Sequence, residues 1–245
     1  MRNPLSSLRW IGSSAVKWVR WRLSGRTEPE VVRAVRGDAL TYLSREALTD
    51  LHDRVREAEE NGIDGALIEA GCALGGSAIV IAAAKSPDRS LFVYDVFGMI
   101  PPPSERDGPD VHARYEVIRS GQSTGIQGAA YYGYEENLLE RVRENFERHG
   151  FPPAEHSVSL VQGLFQDTIH PDGPVAVAHI DGDWYESVMT CLERIEPHLP
   201  VGGVLVIDDY EAWSGCRTAV DEYFADKQDR YAFESHARLH IVRVQ

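Results

Sequence analysis

Cysteine is scarce in this chain of 245 residues, and the three present, Cys72, Cys191 and Cys216, are too few and too scattered for a disulfide framework or a zinc site. That usage suits a reducing cytoplasm. Basic residues are also short: 25 Lys and Arg stand against 38 Asp and Glu, and a net charge of −13 argues against nucleic acid as a partner. No apolar stretch has the length of a spanning helix, and no small-residue cleavage site follows a clean apolar core near the N-terminus. Internal repeats are absent. What is abundant is apolar character, 43% of residues, enough for the core of one globular domain.

The basic charge is gathered at one end. Residues 1–26 hold six bases and no acid, so the remaining chain sets 19 bases against all 38 acids. Trp10, Trp18 and Trp21 among those cations would suit a helix lying weakly on an anionic membrane surface. The preferred alternative is an arm that packs on the acidic body or on a second copy, which predicts a homodimer or larger assembly.

Residues 27–245 read as the domain proper. Ser44, then Leu48, Leu51, Val55 and Ala58 ahead of Gly62, spell a capped amphipathic helix. A short buried strand over 65–71 opens a glycine-rich turn, 77–85 is helical, and 91–95 is the next strand. That βαβ spacing predicts a right-handed unit in a parallel sheet. Residues 98–134 break the rhythm with Pro101-Pro102-Pro103 and a glycine- and tyrosine-rich run, and are read as a substrate lid without a core of its own. Further helices are expected over 135–149, 184–196 and 216–227. Strands are expected near 158–162, before Asp181, before Asp208 and as a terminal pair.

Two aspartate clusters carry the chemistry. Asp181 and the pair Asp208-Asp209 each end a short apolar, β-branched run. On neighbouring parallel strands their ends would lie roughly 4.8 Å apart, close enough to share one cation. Oxygen donors without Cys or clustered His favour magnesium over zinc. Glu69, Gly71, Gly75 and Ser77 surround the turn after the first strand, where open α/β sheets bind ligands. The spacing is neither a dinucleotide fingerprint nor a P-loop. Asp95, ending the second strand, is placed to accept hydrogen bonds from ribose hydroxyls, and an acidic rim suits the positively charged nucleoside S-adenosylmethionine.

Glu69-Ala-Gly-Cys-Ala-Leu-Gly-Gly-Ser77, Gly163-Leu-Phe-Gln-Asp-Thr168, Ile180-Asp-Gly-Asp-Trp-Tyr-Glu-Ser187, Gly202-Gly-Val-Leu-Val-Ile-Asp-Asp-Tyr210 and Cys216-Arg-Thr-Ala-Val220 together resemble the macrocin O-methyltransferase family. Its members act on sugars of macrolides, aminocoumarins and related glycosides. The match spans most of residues 63–227. Ala73-Leu74 stand where the family commonly has an aromatic-basic pair.

The resemblance implies an α/β class I methyltransferase fold, Rossmann-like, with a mostly parallel seven-stranded sheet, helices on both faces and an inserted lid. It implies S-adenosylmethionine as donor, with Gly163, Asp167 on the adenine side and Asp181 joining the turn residues, and magnesium held by Asp181, Asp208 and Asp209. Asp183 matches the general base, with His112 in the lid as a rival. The expected acceptor is a small molecule or oligosaccharide. A catechol-type methyltransferase on an aromatic acceptor and a non-catalytic nucleoside-binding protein are the alternatives.

Overall fold

β-Branched runs of four to six residues form the strands of a seven-stranded sheet, and the amphipathic stretches between them form its covering helices. The computed structural model describes residues 27–245, so both readings of the basic arm at 1–26 lie outside the described residues. In chain order the elements are α1 (Glu30–Gly37), α2 (Arg45–Glu60), β1 (Ala66–Ala70), α3 (Gly76–Ala84), β2 (Leu91–Asp95), α4 (Pro109–Arg119), α5 (Leu138–Arg148) and β3 (Val158–Gln162). They continue as α6 (Phe165–Thr168), β4 (Val175–Ile180), α7 (Tyr185–Ile195), β5 (Val204–Ile207), α8 (Ser214–Tyr223), β6 (Tyr231–Ser235) and β7 (Leu239–Arg243). Among these, no helix is long and apolar enough to cross a membrane.

The strand order is β3-β2-β1-β4-β5-β7-β6, with β1 to β5 parallel and β7 antiparallel to both β5 and β6. Progression from β1 runs outward through β2 and β3, then returns to place β4 on the other side. The crevice outside the carboxyl ends of β1 and β4 is the switch point where such sheets bind ligands. Alternating side chains fill two cores: Leu67, Val93, Val177 and Val206 face α1, α2, α3 and α5, whereas Ile68, Ala178, Leu205 and Ile207 face α7 and α8. Burial on both faces is why the central strands read as continuous apolar runs.

Ser44 caps α2 as its position predicts, its hydroxyl accepting from the Ala47 amide at 3.2 Å. The insertion departs from expectation, since it contains α4 rather than irregular chain throughout. Pro109 stands in the first turn, where its missing N–H costs no helical hydrogen bond. Val111 and Ile118, two turns apart on one face, are buried. The flanking proline and glycine runs hid that periodicity. Helices α1, anchored by buried Val32 and Val35, and α6, a single turn, were also not expected from the sequence.

Below the site, Glu196 joins the end of α7 to the terminal hairpin. Its carboxylate accepts from the hydroxyls of Tyr223 at 2.8 Å and of Tyr231, and from Lys227 at 3.4 Å. Burial opposes ionisation, but those donors hold its carboxyl below the ordinary range. A carboxyl with a depressed folded pKa lends stability that is present above its unfolded value, about 4.3, and lost as pH falls through the folded one. Glu196→Gln should therefore cost about 1–3 kcal/mol at neutral pH. The deficit should shrink in urea melts taken below pH 4, and a pH-independent deficit would point to packing instead.

Candidate active site

The parallel ladders run on past the last strand residues. Ala70 pairs with Ile180, and Ile180 with Ile207. The next amides continue the pattern, Asp181 donating to Ala70 O at 2.9 Å and Asp208 to Ile180 O at 3.0 Å. The first carboxylates beyond β4 and β5 are thereby held side by side. Asp181, Asp208 and Asp209 each offer an oxygen, all within 4.8 Å of one another. Gly71, leaving β1, makes this closeness possible: a Cβ there would meet the Asp181 carbonyl oxygen at 2.0 Å, and its φ of 89° lies in the left-handed region.

Carboxylates crowded in this way repel one another. Burial, then Asp208 and Asp209, push the Asp181 carboxyl well above its ordinary range. Burial, then the same two neighbours, do the same to Asp183. Asp209, raised first by burial and then by Asp208, is pushed up to about 7. Asp208 moves the other way: burial opposes ionisation, but His179 and Arg238 outweigh it, and Arg238 Nε donates to Asp208 at 2.6 Å. Asp209 Oδ2 is buried with no hydrogen-bond partner among the described residues. A divalent cation would answer both the repulsion and the orphaned oxygen, and the all-oxygen donor set fits magnesium.

A polar chain lies behind the triad. His179 on β4 stands in register with Glu69 on β1, and its Nδ1 meets Glu69 Oε2 at 2.9 Å. Glu69 Oε1 accepts from the Ser77 hydroxyl at the start of α3. On the other side His179 Nε2 lies 3.6 Å from Asp208 Oδ1. Burial alone would depress the imidazole, but Glu69 and Asp208 overcome it and push His179 up to about 10. An imidazolium between two carboxylates thus ties the glycine-rich turn to the triad.

Asp183, two residues past Asp181, holds a φ of 53°, a left-handed conformation uncommon outside glycine. Such strain persists where surrounding structure over-determines it, often at functional sites. Its carboxyl faces the same cavity, with Trp213 on the same wall, and lies within the field of Arg114. The cavity encloses about 350 Å³. On its cofactor side Asp95 accepts from the amides of Cys72 at 2.8 Å and Phe97 at 2.7 Å, and burial raises its carboxyl despite them.

Of the residues singled out in the sequence, Gly71, Asp95, Asp181, Asp183, Asp208 and Asp209 line the cavity. Glu69 and Ser77 sit behind the wall, engaged with each other and with His179. Gly75 caps α3 with a φ of 90°. Gly163 and Asp167 flank the stretch Leu164, Phe165 and Gln166, which does reach the wall. His112 is exposed on α4 and lies outside it.

The insertion reaches the site from above. Tyr131 and Tyr132, with ring centroids 4.6 Å apart, line the cavity beside Tyr42. Tyr134 instead ties the insertion to itself, its hydroxyl donating to Ile118 O at 2.6 Å. Asp107 accepts from the Tyr185 amide at 2.8 Å and Asp110 from the Ser214 amide at 3.0 Å. Each thereby satisfies an open amide in the first turn of the helix that follows a metal-site strand. Trp184 Nε1 donates to Pro101 O at 3.0 Å.

Arg114, Trp213, Arg238, Tyr42 and His179 were not expected from the sequence. A signal existed for His179 alone, as a polar residue inside an otherwise apolar strand.

A family model described as macrocin-O-methyltransferase (TylF) matches residues 19–232. The 8-demethyl-8-(2,3-dimethoxy-alpha-L-rhamnosyl)-tetracenomycin-C 4'-O-methyltransferase of Streptomyces olivaceus is 35% identical over 208 residues, which are 82% of this chain and 71% of that one. Demethyldecarbamoylnovobiocin O-methyltransferase of Streptomyces niveus is 30% identical over 195 residues, 77% and 69% of the two chains. Among solved structures, the O-methyltransferase NovP superposes with a TM-score of 0.69 at 28% identity, covering 84% of this chain and 83% of its own.

Proposed function

The chain belongs to the macrocin-O-methyltransferase family, and on that premise we propose that it methylates a sugar hydroxyl of a glycosylated small molecule, with S-adenosylmethionine as donor. The observation that carries this reading is the meeting of Asp181, Asp183, Asp208 and Asp209 in one cavity with Asp95. The donor supplies an electrophilic methyl on a sulfonium. Magnesium would be held by Asp181, Asp208 and Asp209 and would supply positive charge that acidifies and orients an acceptor hydroxyl.

Asp95 accepts from the ribose hydroxyls while its own geometry is held by the Cys72 and Phe97 amides. Asp183 takes the acceptor's proton as the carbon–sulfur bond breaks and the carbon–oxygen bond forms. Trp213 lines the cavity wall beside that base. The tyrosine-rich insertion covers the acceptor and excludes water, its near end fixed by Asp107 and Asp110 and its ordering completed by ligand. A second copy of the chain complements the basic arm. Hydrogen exchange with and without acceptor, and light scattering of a chain lacking 1–26, test those two points; unchanged exchange or unchanged mass removes each.

The decisive experiment offers labelled S-adenosylmethionine with a neutral deoxysugar glycoside or with a catechol, in magnesium or in chelator. Label in the sugar, lost in chelator, is expected. Label in the catechol alone would move the assignment to an aromatic acceptor. Binding of S-adenosylhomocysteine should survive chelator, since Asp95 and Gly71 are not among the three proposed ligands. Asp183→Asn should lower turnover about 10²–10⁴-fold with cofactor affinity unchanged. A rise in acceptor KM alone would recast Asp183 as a binding residue.

A further inference from the structure

Among the described residues, Arg114 is a cavity-lining cation without a direct partner. It projects from α4, half-buried, and makes no hydrogen bond or ion pair among the described residues, whereas Arg238 on the same wall is engaged with Asp208. The undescribed segment 1–26 contains no acid that could pair with it. A guanidinium withdrawn from solvent loses hydration, and a site that leaves it unanswered is built for something that arrives later. Its field falls on Asp183, Tyr42 and Tyr131. Arg114, Asp183, Tyr42 and Tyr131 line the same cavity as the aspartate triad.

The charge of the cavity narrows what Arg114 meets. With the aspartates ionised around a bound cation, the five aspartates and two arginines of the wall would carry three net negative charges. A divalent cation and a sulfonium would cancel those three. The third component is then best accommodated without charge, because a net anion in a low-dielectric site is poorly solvated. Tyr42, Tyr131 and Tyr132 supply flat apolar surface on the cavity wall, suited to the C–H face of a ring.

We propose that Arg114 binds the acceptor, its planar fork donating to two neighbouring oxygens of an uncharged sugar whose C–H face rests on the tyrosine wall. This rests on the sugar-methylating function proposed above. Arg114 then sets which hydroxyl lies beside Asp183 and makes α4 a specificity element of the insertion.

The test is steady-state kinetics of Arg114→Ala and Arg114→Lys with a neutral glycoside and the matching uronate, alongside titration of each variant with S-adenosylhomocysteine. Arg114→Ala should raise the acceptor KM about 10- to 100-fold while kcat falls far less, with cofactor-product affinity unchanged. Arg114→Lys should recover only part, since one ammonium cannot reproduce two parallel donors. The wild type should prefer the neutral glycoside. An unchanged acceptor KM, a loss of cofactor-product affinity matching the loss of activity, or full recovery by lysine would overturn the assignment. A preference for the uronate that disappears in Arg114→Ala would overturn the uncharged acceptor. Should Arg114→Ala melt far below the wild type, the lysine variant and Arg114→Gln, which keep the aliphatic stem, decide the same comparison. A wild type that methylates no glycoside would instead remove the function on which this rests.

Discussion

Asp208→Asn should abolish most methyl transfer, lowering turnover about 10²–10³-fold, because losing an anionic ligand forfeits several kcal/mol of charge stabilisation at the acceptor oxygen. The fold should survive. Asp208 stands at a strand exit, and asparagine keeps the amide that donates to Ile180 O. In the wild type, magnesium should raise the melting temperature, since a ligand that binds only the folded chain stabilises it by mass action. Asp208→Asn and Asp209→Asn should both lose that response. Asp209→Asn should also be more stable than the wild type in chelator, by about 1 kcal/mol, because it removes one of several mutually repelling carboxylates. Full activity in chelator, or an undiminished magnesium-induced shift in either variant, would refute the metal assignment.

The largest stability effect is expected one layer deeper. His179→Leu strands the fully buried Glu69 carboxylate and removes the imidazolium beside Asp208, and breaking a buried ion pair from one side costs about 3–5 kcal/mol. Replacing both partners, Glu69→Leu with His179→Leu, should return much of that loss. Two apolar side chains in register across β1 and β4 leave the Ser77 hydroxyl without its acceptor and Asp208 with Arg238 alone. The double variant should nonetheless bind magnesium more weakly than the wild type, because Asp208 then lacks the cation that steadies it from behind. Chemical denaturation of the two single variants and the double gives the coupling energy. Additive losses would show that Glu69 and His179 do not act as a pair.

Those two sites differ in how far the chain alone announced them. The triad was legible because each carboxylate ends an apolar run. A strand's hydrophobic run, its exit residue and the turn that follows are set by neighbours in sequence. Parallel pairing then brings successive exits together at one edge. Glu69 was read toward the cofactor because it ends the first strand, yet its carboxylate is buried between Ser77 at the start of α3 and His179. Which way a strand residue faces depends on register with β4, and a shift of one residue reverses it.

The sequence by itself determined the α/β class, the parallel core, the glycine-rich turn and the aspartates at the strand ends. All of these rest on periodicity or turn chemistry within about ten residues. The tertiary structure alone decided that α4 forms within the insertion, that Asp107 and Asp110 serve helices far along the chain, and that His179 stands between Glu69 and Asp208. It alone brought Arg114, Arg238 and Trp213 to Asp183 and the triad. These are contacts between segments scores of residues apart, made by single polar side chains that carry no periodic signal. Their partners exist only once the sheet has set the register and the helices have packed against both of its faces.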